Sequence, residues 1–217
     1  MSMFFQSVPI EQLEMSTFYQ AATKLNVDIQ CPTAVKRPYT AMMGQPMHVW
    51  FDRSSDFLRQ GVEDTEDLAG ADRSVAQILA IVAENEAQYD SIFVGGFSMG
   101  GCLALHLLRA EAEGRLPRAV RGLFSMGSFL VESSAVLGPW TEGPNGGPRS
   151  TSSALPVFMM HGTADSLIQH DWGQTTATNL LLKVHTRITQ RIPGGSKNEA
   201  PCTTQRSEKR AHIHVHH

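Results

Sequence analysis

The chain has 217 residues, with 18 lysines and arginines against 21 aspartates and glutamates, and 41% of its residues are hydrophobic. This length suffices for one domain with a sizeable core and is short for two. The net charge of −3 gives no electrostatic case for a nucleic-acid partner, which would need a basic face or stripe. No apolar run approaches the roughly 18 residues of a membrane-spanning helix, so we expect no stable membrane insertion.

The N-terminal residues and the cysteines indicate a cytoplasmic protein. Residues 1–6 have neither the basic region nor the long apolar region of a secretory signal. The three cysteines (Cys31, Cys102 and Cys202) are odd in number, far apart and in no metal-ligand spacing. We therefore expect a reducing compartment.

Helical and strand patterns alternate along the chain. The first half predicts, in order, a helix over 9–25, a strand over 27–31, a loop-rich stretch over 32–61 and a long helix over 63–86. A short apolar run without alternation then predicts a fully buried strand over 91–96. The second half predicts a helix over 99–112, a strand over 120–126, a turn-rich loop over 138–153, a strand over 155–160, a helix over 171–183 and a strand over 184–192.

Strands separated by helices predict an α/β fold, with a mostly parallel sheet and helices on both faces. The last segment differs, because residues 196–217 are polar, with Ile213 and Val215 as their only large aliphatic side chains. We expect a folded domain over 1–195 and a disordered tail over 196–217.

The stretch Gly96-Phe97-Ser98-Met99-Gly100 lies between a predicted strand and a predicted helix. A G-x-S-x-G sequence in this context is typical of a nucleophile elbow, a strained turn that presents a serine at the carboxyl end of a sheet. Ser98 is the predicted nucleophile. The backbone N–H of Met99 is the predicted oxyanion donor, at a helix N-terminus that favours negative charge. The alternative is a purely structural Gly/Ser turn.

A second motif, His161-Gly162-Thr163-Ala164-Asp165, follows the predicted strand 155–160. With a nucleophile elbow, the triad acid lies after a later strand and the triad histidine follows the acid in the chain. Asp165 is therefore the predicted acid, with capping of the next helix as its alternative role. His161 precedes the acid, so we expect it to be a structural loop histidine.

These two motifs, with Cys31-Pro32-Thr33-Ala34 and Trp50-Phe51-Asp52, make the chain resemble the acyl-protein thioesterase and lysophospholipase-like family. Met99 and Trp50-Phe51-Asp52-Arg53 resemble most the lysophospholipase-like-1 branch. The resemblance extends from about residue 25 to 193, with an insertion near 138–153.

The resemblance implies an α/β-hydrolase fold and a cytosolic serine hydrolase. Its implied substrates are S-acylated proteins, such as those carrying palmitoyl thioesters, or small acyl esters. It implies Ser98 as the nucleophile and Asp165 as the acid. It also implies that Trp50 and Phe51 lie near the serine and bind substrate, with packing of this aromatic pair in the core as the alternative.

The sequence departs from the family at both ends. The family has a first strand followed by a His-Gly-x-Gly-Asp oxyanion loop, and residues 1–8 contain no such motif. The family's triad histidine follows a Pro turn, and counting on from Pro193 puts Lys197 in its place. We therefore expect a fold without its first strand and last helix, and an alternative exon, a retained intron or a gene-model error as the cause.

No other histidine is predicted to replace the missing base. His170 and His185 are expected to be surface or packing residues. A flexible tail cannot hold an imidazole in register with Ser98, which applies to His212, His214, His216 and His217. These tail histidines would bind a transition metal only adventitiously, and we predict no metal and no cofactor. The sequence thus predicts a serine esterase or thioesterase or, alternatively, a catalytically impaired isoform that keeps an acyl pocket; a short-chain carboxylesterase is a third interpretation.

Overall fold

A computed structural model describes Lys24 and residues 27–138, 155–184, 187–191 and 214–216. The predicted helix over 9–25 (except Lys24), most of the predicted loop over 138–153, His185 and Lys197 lie outside these residues. In chain order, the elements are β1 (Lys36–Tyr39), β2 (Gln45–His48), α1 (Phe57–Gln60), α2 (Leu68–Asn85), β3 (Ile92–Phe97), α3 (Met99–Ala112), β4 (Val120–Met126), β5 (Pro156–Met160), α4 (His170–Asn179), β6 (Arg187–Arg191) and β7 (His214–His216).

The central sheet has five parallel strands in the order β3-β4-β5-β6-β7. Helix α3 connects β3 to β4, and α4 connects β5 to β6. Phe97 of β3 pairs with Met126 of β4, and Met126 pairs with Met160 of β5. The carboxyl ends of these three strands are therefore aligned at one edge of the sheet. This arrangement confirms the predicted α/β class.

The main hydrophobic core lies between the sheet and helices α2 and α3. Helix α2 buries one face, which includes Val75, Ile78 and Val82. Helix α3 is buried along nearly its whole length, as expected for a helix whose sequence is apolar on most sides. The predicted bounds of α3 and β4 are confirmed residue for residue. The carboxyl end of β3 is consequently joined directly to the most buried helix described.

The predicted strand over 27–31 is wrong. Residues 27–35 form no regular element, and side chains rather than a backbone ladder attach this segment to the end of α2. Gln30 Nε2 donates to Asn85 Oδ1 at 3.0 Å, and the Tyr89 hydroxyl donates to the Asp28 carboxylate.

The stretch predicted as loop over 32–61 contains a β-hairpin, β1–β2, in which Pro38 pairs with Pro46. These prolines led to the loop prediction, because proline breaks the ladder of a central strand. A two-stranded sheet has only edge strands, where proline is tolerated. The turn places Met43 at φ 55° and Gly44 at φ 76°.

Strand β3 is not fully buried, contrary to the prediction. Phe93 is 65% exposed and Phe97 is 43% exposed. In the described part of the chain, β3 pairs with β4 alone. It is an edge strand there, and its apolar composition alone could not indicate this.

The remaining elements differ from the predictions mainly at their ends. Helix α2 begins at Leu68 rather than at residue 63, because Asp67 caps it by accepting from the Gly70 N–H at 2.8 Å. The predicted helix 171–183 ends at Asn179 and continues as one π-helical stretch, Leu180–Val184. Within the predicted tail, β7 pairs with β6, with Thr189 opposite His214, a strand that the polar sequence does not predict. The described helices include none with the length and apolar character needed to span a membrane.

Candidate active site

Ser98 occupies the turn between β3 and α3, with φ 52° and ψ −122°. A positive φ is unfavourable for a residue with a Cβ, and such strain is typical of functional sites. Two backbone hydrogen bonds hold the turn: Ser98 N–H donates to the Met126 carbonyl at 2.8 Å, and Cys102 N–H donates to the Ser98 carbonyl at 3.1 Å. The strand–turn–helix context predicted from the sequence is confirmed.

Two glycines near Ser98, Gly96 and Gly101, are required by close contacts. A Cβ on Gly96 would lie 2.6 Å from the carbonyl carbon of Gly100, and the next nearest atoms are also main-chain atoms of Gly100. A Cβ on Gly101 would lie 2.8 Å from the Gly96 carbonyl oxygen and 2.9 Å from Ser125 Oγ. Strand and helix therefore approach more closely than side chains would allow.

Met99 is the first residue of α3, and its side chain is buried. The first four N–H groups of an α-helix have no intrahelical acceptor, and the Ser98 side chain does not cap this helix. The Met99 amide, adjacent to Ser98, therefore has no acceptor within the helix, and the helix dipole favours negative charge beside it.

Asp165 lies in the loop after β5, and its carboxylate organises that loop. Its Oδ1 accepts from the N–H groups of Leu167 at 3.0 Å and Ile168 at 2.9 Å. Helix α4 begins only at His170, with Gln169 at its N-cap. The alternative role of Asp165 as a helix cap is therefore not observed.

His161 is buried beside this carboxylate. Its Nε2 lies 2.9 Å from the Ile168 carbonyl and 3.6 Å from Asp165 Oδ2. Because a carbonyl only accepts, Nε2 carries the proton. Nδ1 is buried without a described partner, and a Cβ on Gly173 would overlap with it. This environment fits the predicted structural role of His161. His170 packs against it edge to face, with ring centroids 5.8 Å apart.

Ser98 and Asp165 follow β3 and β5, which are separated by β4. Two strand spacings of about 4.8 Å separate the two strand ends by about 10 Å. Such a gap between nucleophile and acid leaves room for a third group, which a triad fills with an imidazole. Lys197, which stands where the family resemblance implies the triad histidine, lies outside the described residues.

The structure separates the two predicted substrate-binding aromatics. The half-buried Trp50 lies beside the elbow, with its Nε1 3.9 Å from the position of a Cβ on Gly100. Phe51 is only 5% exposed, and its ring packs against that of His106 in the core.

The residues after Phe51 are structural groups that the sequence did not single out as such. The Asp52 carboxylate accepts from the N–H and hydroxyl of Thr40, which ties the β1–β2 hairpin to this segment. Arg53 is buried among aromatic rings. The family resemblance includes Arg53 in Trp50-Phe51-Asp52-Arg53, but this pattern does not indicate that its side chain is buried.

Burial and nearby charges shift two pKa values close to Arg53. Burial raises the pKa of Tyr39 to about 12; Arg53 opposes this shift, and Asp52 and Asp64 add to it. Burial also acts to raise the pKa of Glu66, but hydrogen bonds from His106, Ser134 and the Ala135 N–H outweigh it, and this pKa is lowered. Among the described residues, no group of three or more histidines, cysteines or carboxylates could hold a metal ion.

Comparison with known proteins matches residues 12–213 to a family model described as phospholipase/carboxylesterase. Lysophospholipase-like protein 1 of Mus musculus is 35% identical over 167 residues, which are 74% of this chain and 62% of that protein. Acyl-protein thioesterase 1 of Mycosarcoma maydis is 31% identical over 156 residues, 67% of this chain and 58% of that protein. The chain thus spans less than two thirds of the length of these two relatives.

Solved structures show the same fold. Acyl-protein thioesterase 2 of Zea mays matches with a TM-score of 0.59 and 21% identity, covering 82% of this chain and 79% of that one. SOBER1 of Arabidopsis thaliana matches with a TM-score of 0.61 and 20% identity, covering 89% and 84%. Together with the family model, these matches confirm the predicted α/β-hydrolase fold.

Proposed function

The chain belongs to the phospholipase/carboxylesterase family, and we propose that it is a serine hydrolase that cleaves palmitoyl-protein thioesters or short carboxylic esters. The observation that carries this proposal is the backbone of Ser98, held at φ 52° between a parallel strand and a buried helix. A positive φ at a serine in a G-x-S-x-G turn is the geometry of a nucleophile elbow.

In the proposed reaction, Ser98 Oγ attacks the acyl carbonyl carbon and loses its proton to a base. The Met99 N–H donates to the oxyanion that forms. Collapse of the tetrahedral intermediate breaks the bond to the leaving group, which takes the proton from the base and departs as a thiol or an alcohol. Water then attacks the acyl-enzyme, releases the fatty acid and restores the serine. Asp165 is the proposed acid that orients the base, which we leave unassigned in this chain.

The proposed substrates have an apolar acyl chain and a cytoplasmic protein or small alcohol as leaving group. Trp50 is the aromatic residue that we assign to the acyl chain, because it lies beside the elbow. Phe51 supports the site from within the core. The widely separated cysteines (Cys31, Cys102 and Cys202) favour the cytoplasm as the compartment.

A second candidate function is acyl binding without turnover. It is favoured by Lys197, which stands where the family resemblance implies the triad histidine. Loss of a triad member typically lowers the rate by several powers of ten.

Labelling with a fluorophosphonate probe tests the proposal, because the probe reacts with activated serines. We expect labelling of the wild-type chain, loss of labelling in Ser98→Ala and unchanged labelling in Ser91→Ala, a control at an exposed serine before β3. Hydrolysis of a palmitoyl-peptide thioester should follow the same pattern. A chain that melts cooperatively but is not labelled would contradict the hydrolase proposal, and its binding of a palmitoyl analogue would support the second function.

A further inference from the structure

Arg53 makes contacts that lead to both parts of the candidate site, the Ser98 elbow and the Asp165 loop. Its side chain is buried, with the guanidinium carbon 4.4 Å from the ring centroid of Phe129, 5.3 Å from that of Phe51 and 5.6 Å from that of Phe57. A planar guanidinium stacks on aromatic faces in a way that a lysine ammonium does not. Three aromatic ring centroids thus lie within 6 Å of this cation.

One contact of Arg53 reaches the helix that carries the nucleophile. Its Nη2 donates to Cys102 Sγ at 3.4 Å. Cys102 lies one helical turn after Ser98, and the Cys102 N–H donates to the Ser98 carbonyl at 3.1 Å. The Cys102 thiol in turn donates to the Phe129 carbonyl at 2.9 Å. Arg53, Cys102 and Phe129 therefore form a closed set of contacts at the first turn of α3.

Phe129 carries the connection to the acid loop. Its ring lies 5.0 Å from that of Trp172, centroid to centroid, and it shares a small hydrophobic cluster with Ile168. The Ile168 N–H donates to Asp165 Oδ1 at 2.9 Å, and the Ile168 carbonyl accepts from His161 at 2.9 Å. The same cluster that contacts Arg53 thus includes the residue that holds the carboxylate.

The space beside Arg53 is too small for a ligand. A cavity of about 10 Å³ is lined by Arg53, Cys102, His106, Glu66 and other residues, which is about the volume needed for one water molecule. We therefore assign the residues around this cavity a structural role and not a role in binding substrate.

From these contacts, we infer that Arg53 is a positioning residue that keeps the Ser98 elbow and the Asp165 loop in register. It acts through Cys102 on the elbow helix and through Phe129 on the acid loop. Its effect on catalysis rests on the proposed function, whereas its effect on the acid loop does not.

The test compares Arg53→Met with Val75→Ala. The first variant replaces the planar cation with an apolar, flexible side chain that still fills part of the space. The second removes buried volume from α2, where Val75 is 2% exposed. Val75 is far along the chain from the Ser98 elbow and the Asp165 loop, so this variant shows the effect of a general loss of stability. For each variant we would measure the fluorophosphonate labelling rate, the melting temperature and the hydrogen exchange of the Leu167 and Ile168 amides by NMR.

We expect Arg53→Met to slow labelling at least tenfold and to speed exchange of these two amides at least tenfold. Val75→Ala should lower the melting temperature with labelling within twofold of wild type. Arg53→Lys, which keeps the charge but not the plane, should recover only part of the labelling rate. Cys102→Ala removes the side-chain contacts of α3 with Arg53 and with the Phe129 carbonyl and should also slow labelling. It replaces Arg53→Met in the test if that variant does not melt cooperatively.

A folded Arg53→Met variant with labelling and amide exchange within twofold of wild type would overturn the inference. So would a labelling loss in Val75→Ala as large as that in Arg53→Met, because the effect would then follow stability alone. If wild type itself is not labelled, the proposed function fails, and the exchange of Leu167 and Ile168 alone decides whether Arg53 positions the acid loop.

Discussion

The elbow around Ser98 and the loop around Asp165 lie at the same edge of the sheet but are held by different means. Backbone geometry fixes the elbow: a Cβ on Gly96 would overlap with the main chain of Gly100, and Ser98 has a positive φ. Side chains fix the acid loop, in which the Asp165 carboxylate and the His161 ring bind the backbone of Leu167 and Ile168.

This difference explains which changes each region should tolerate. Close main-chain contact leaves no space for a Cβ at Gly96 or Gly101, so we expect these two elbow positions to be intolerant of even a methyl group. A loop held by side-chain hydrogen bonds has open positions; at Gly162 an added Cβ would have nothing within 4 Å. Close main-chain packing thus fixes the position of the nucleophile, and side-chain hydrogen bonds fix that of the acid.

The largest effect is expected for Gly96→Ala. Its Cβ would lie 2.6 Å from a backbone carbon of Gly100, and neither strand nor helix can move without disturbing the core. We expect a loss of about 3 kcal/mol in the free energy of unfolding, at the upper end of typical overpacking costs, measured by urea denaturation. Gly162→Ala is the matched control and should change stability by less than about 0.5 kcal/mol. Equal losses in both variants would show that the two regions do not differ in this way.

Asp165→Ala should have the next largest effect. It removes the acceptor of two backbone N–H groups, and leaving such groups unpaired costs about 1–3 kcal/mol. Because the carboxylate is 23% exposed, water can replace part of this bonding, and we expect a loss of about 2 kcal/mol by urea denaturation. Asp165→Asn keeps one oxygen acceptor and should lose less than half as much. If the two variants were equally destabilised, hydrogen bonding to Oδ1 would not be what holds the loop.

Glu66 extends the comparison to the middle of the elbow helix, where a side chain again makes the attachment. Glu66 Oε1 lies 3.2 Å from His106 Nε2 on α3, and Oε2 accepts from the Ala135 N–H at 2.8 Å. The pKa of Glu66 is lowered below its ordinary 4.5 in the folded chain. Its contribution to stability is therefore complete above pH 4.5 and is lost as the pH falls through the folded-state pKa.

Replacing this carboxylate with an amide, Glu66→Gln, should cost about 1.5 kcal/mol at pH 6, in the range for hydrogen bonds to charged groups. At pH 3 the difference from wild type should shrink, because Glu66 is protonated in the unfolded chain below pH 4.5 and folding must then displace that proton. Urea denaturation of both proteins at the two pH values measures this. A difference that grows towards pH 3 would contradict the direction of the pKa shift.

The contrast between backbone and side-chain control also explains what could be predicted from the sequence. The elbow, α3 and β4 were predicted with correct bounds because glycine spacing and apolar runs are local signals. The strand expected over 27–31 was wrong because its attachment depends on Gln30 and Tyr89 reaching distant partners. The β1–β2 hairpin was missed because its two prolines indicate a loop unless the strands are known to be edges.

The candidate site divides in the same way. Ser98 and Met99 follow from a motif whose backbone requirements are visible in the sequence. The burial of Phe51 and Arg53 cannot be inferred from a motif. Trp50 and Phe51 are both aromatic, and their different environments arise only from packing. Residues that act through tertiary contacts, such as Cys102 on Phe129, have no sequence spacing that identifies them.

The smallest expected effect concerns the strain at Ser98 itself. Both Ser98→Ala and Ser98→Gly remove the hydroxyl, but only glycine adopts φ 52° without steric cost. Strain of this kind costs about 1–3 kcal/mol, and the greater freedom of glycine in the unfolded chain offsets about 0.5–1 kcal/mol of the gain. We therefore expect Ser98→Gly to be more stable than Ser98→Ala by about 1 kcal/mol in urea denaturation. At Ser91, where φ is not positive, we expect the reverse order, with Ser91→Ala more stable than Ser91→Gly. A Ser98→Gly variant less stable than Ser98→Ala would mean that the elbow stores no backbone strain, and its conformation would then have to be attributed to side-chain contacts, as in the acid loop.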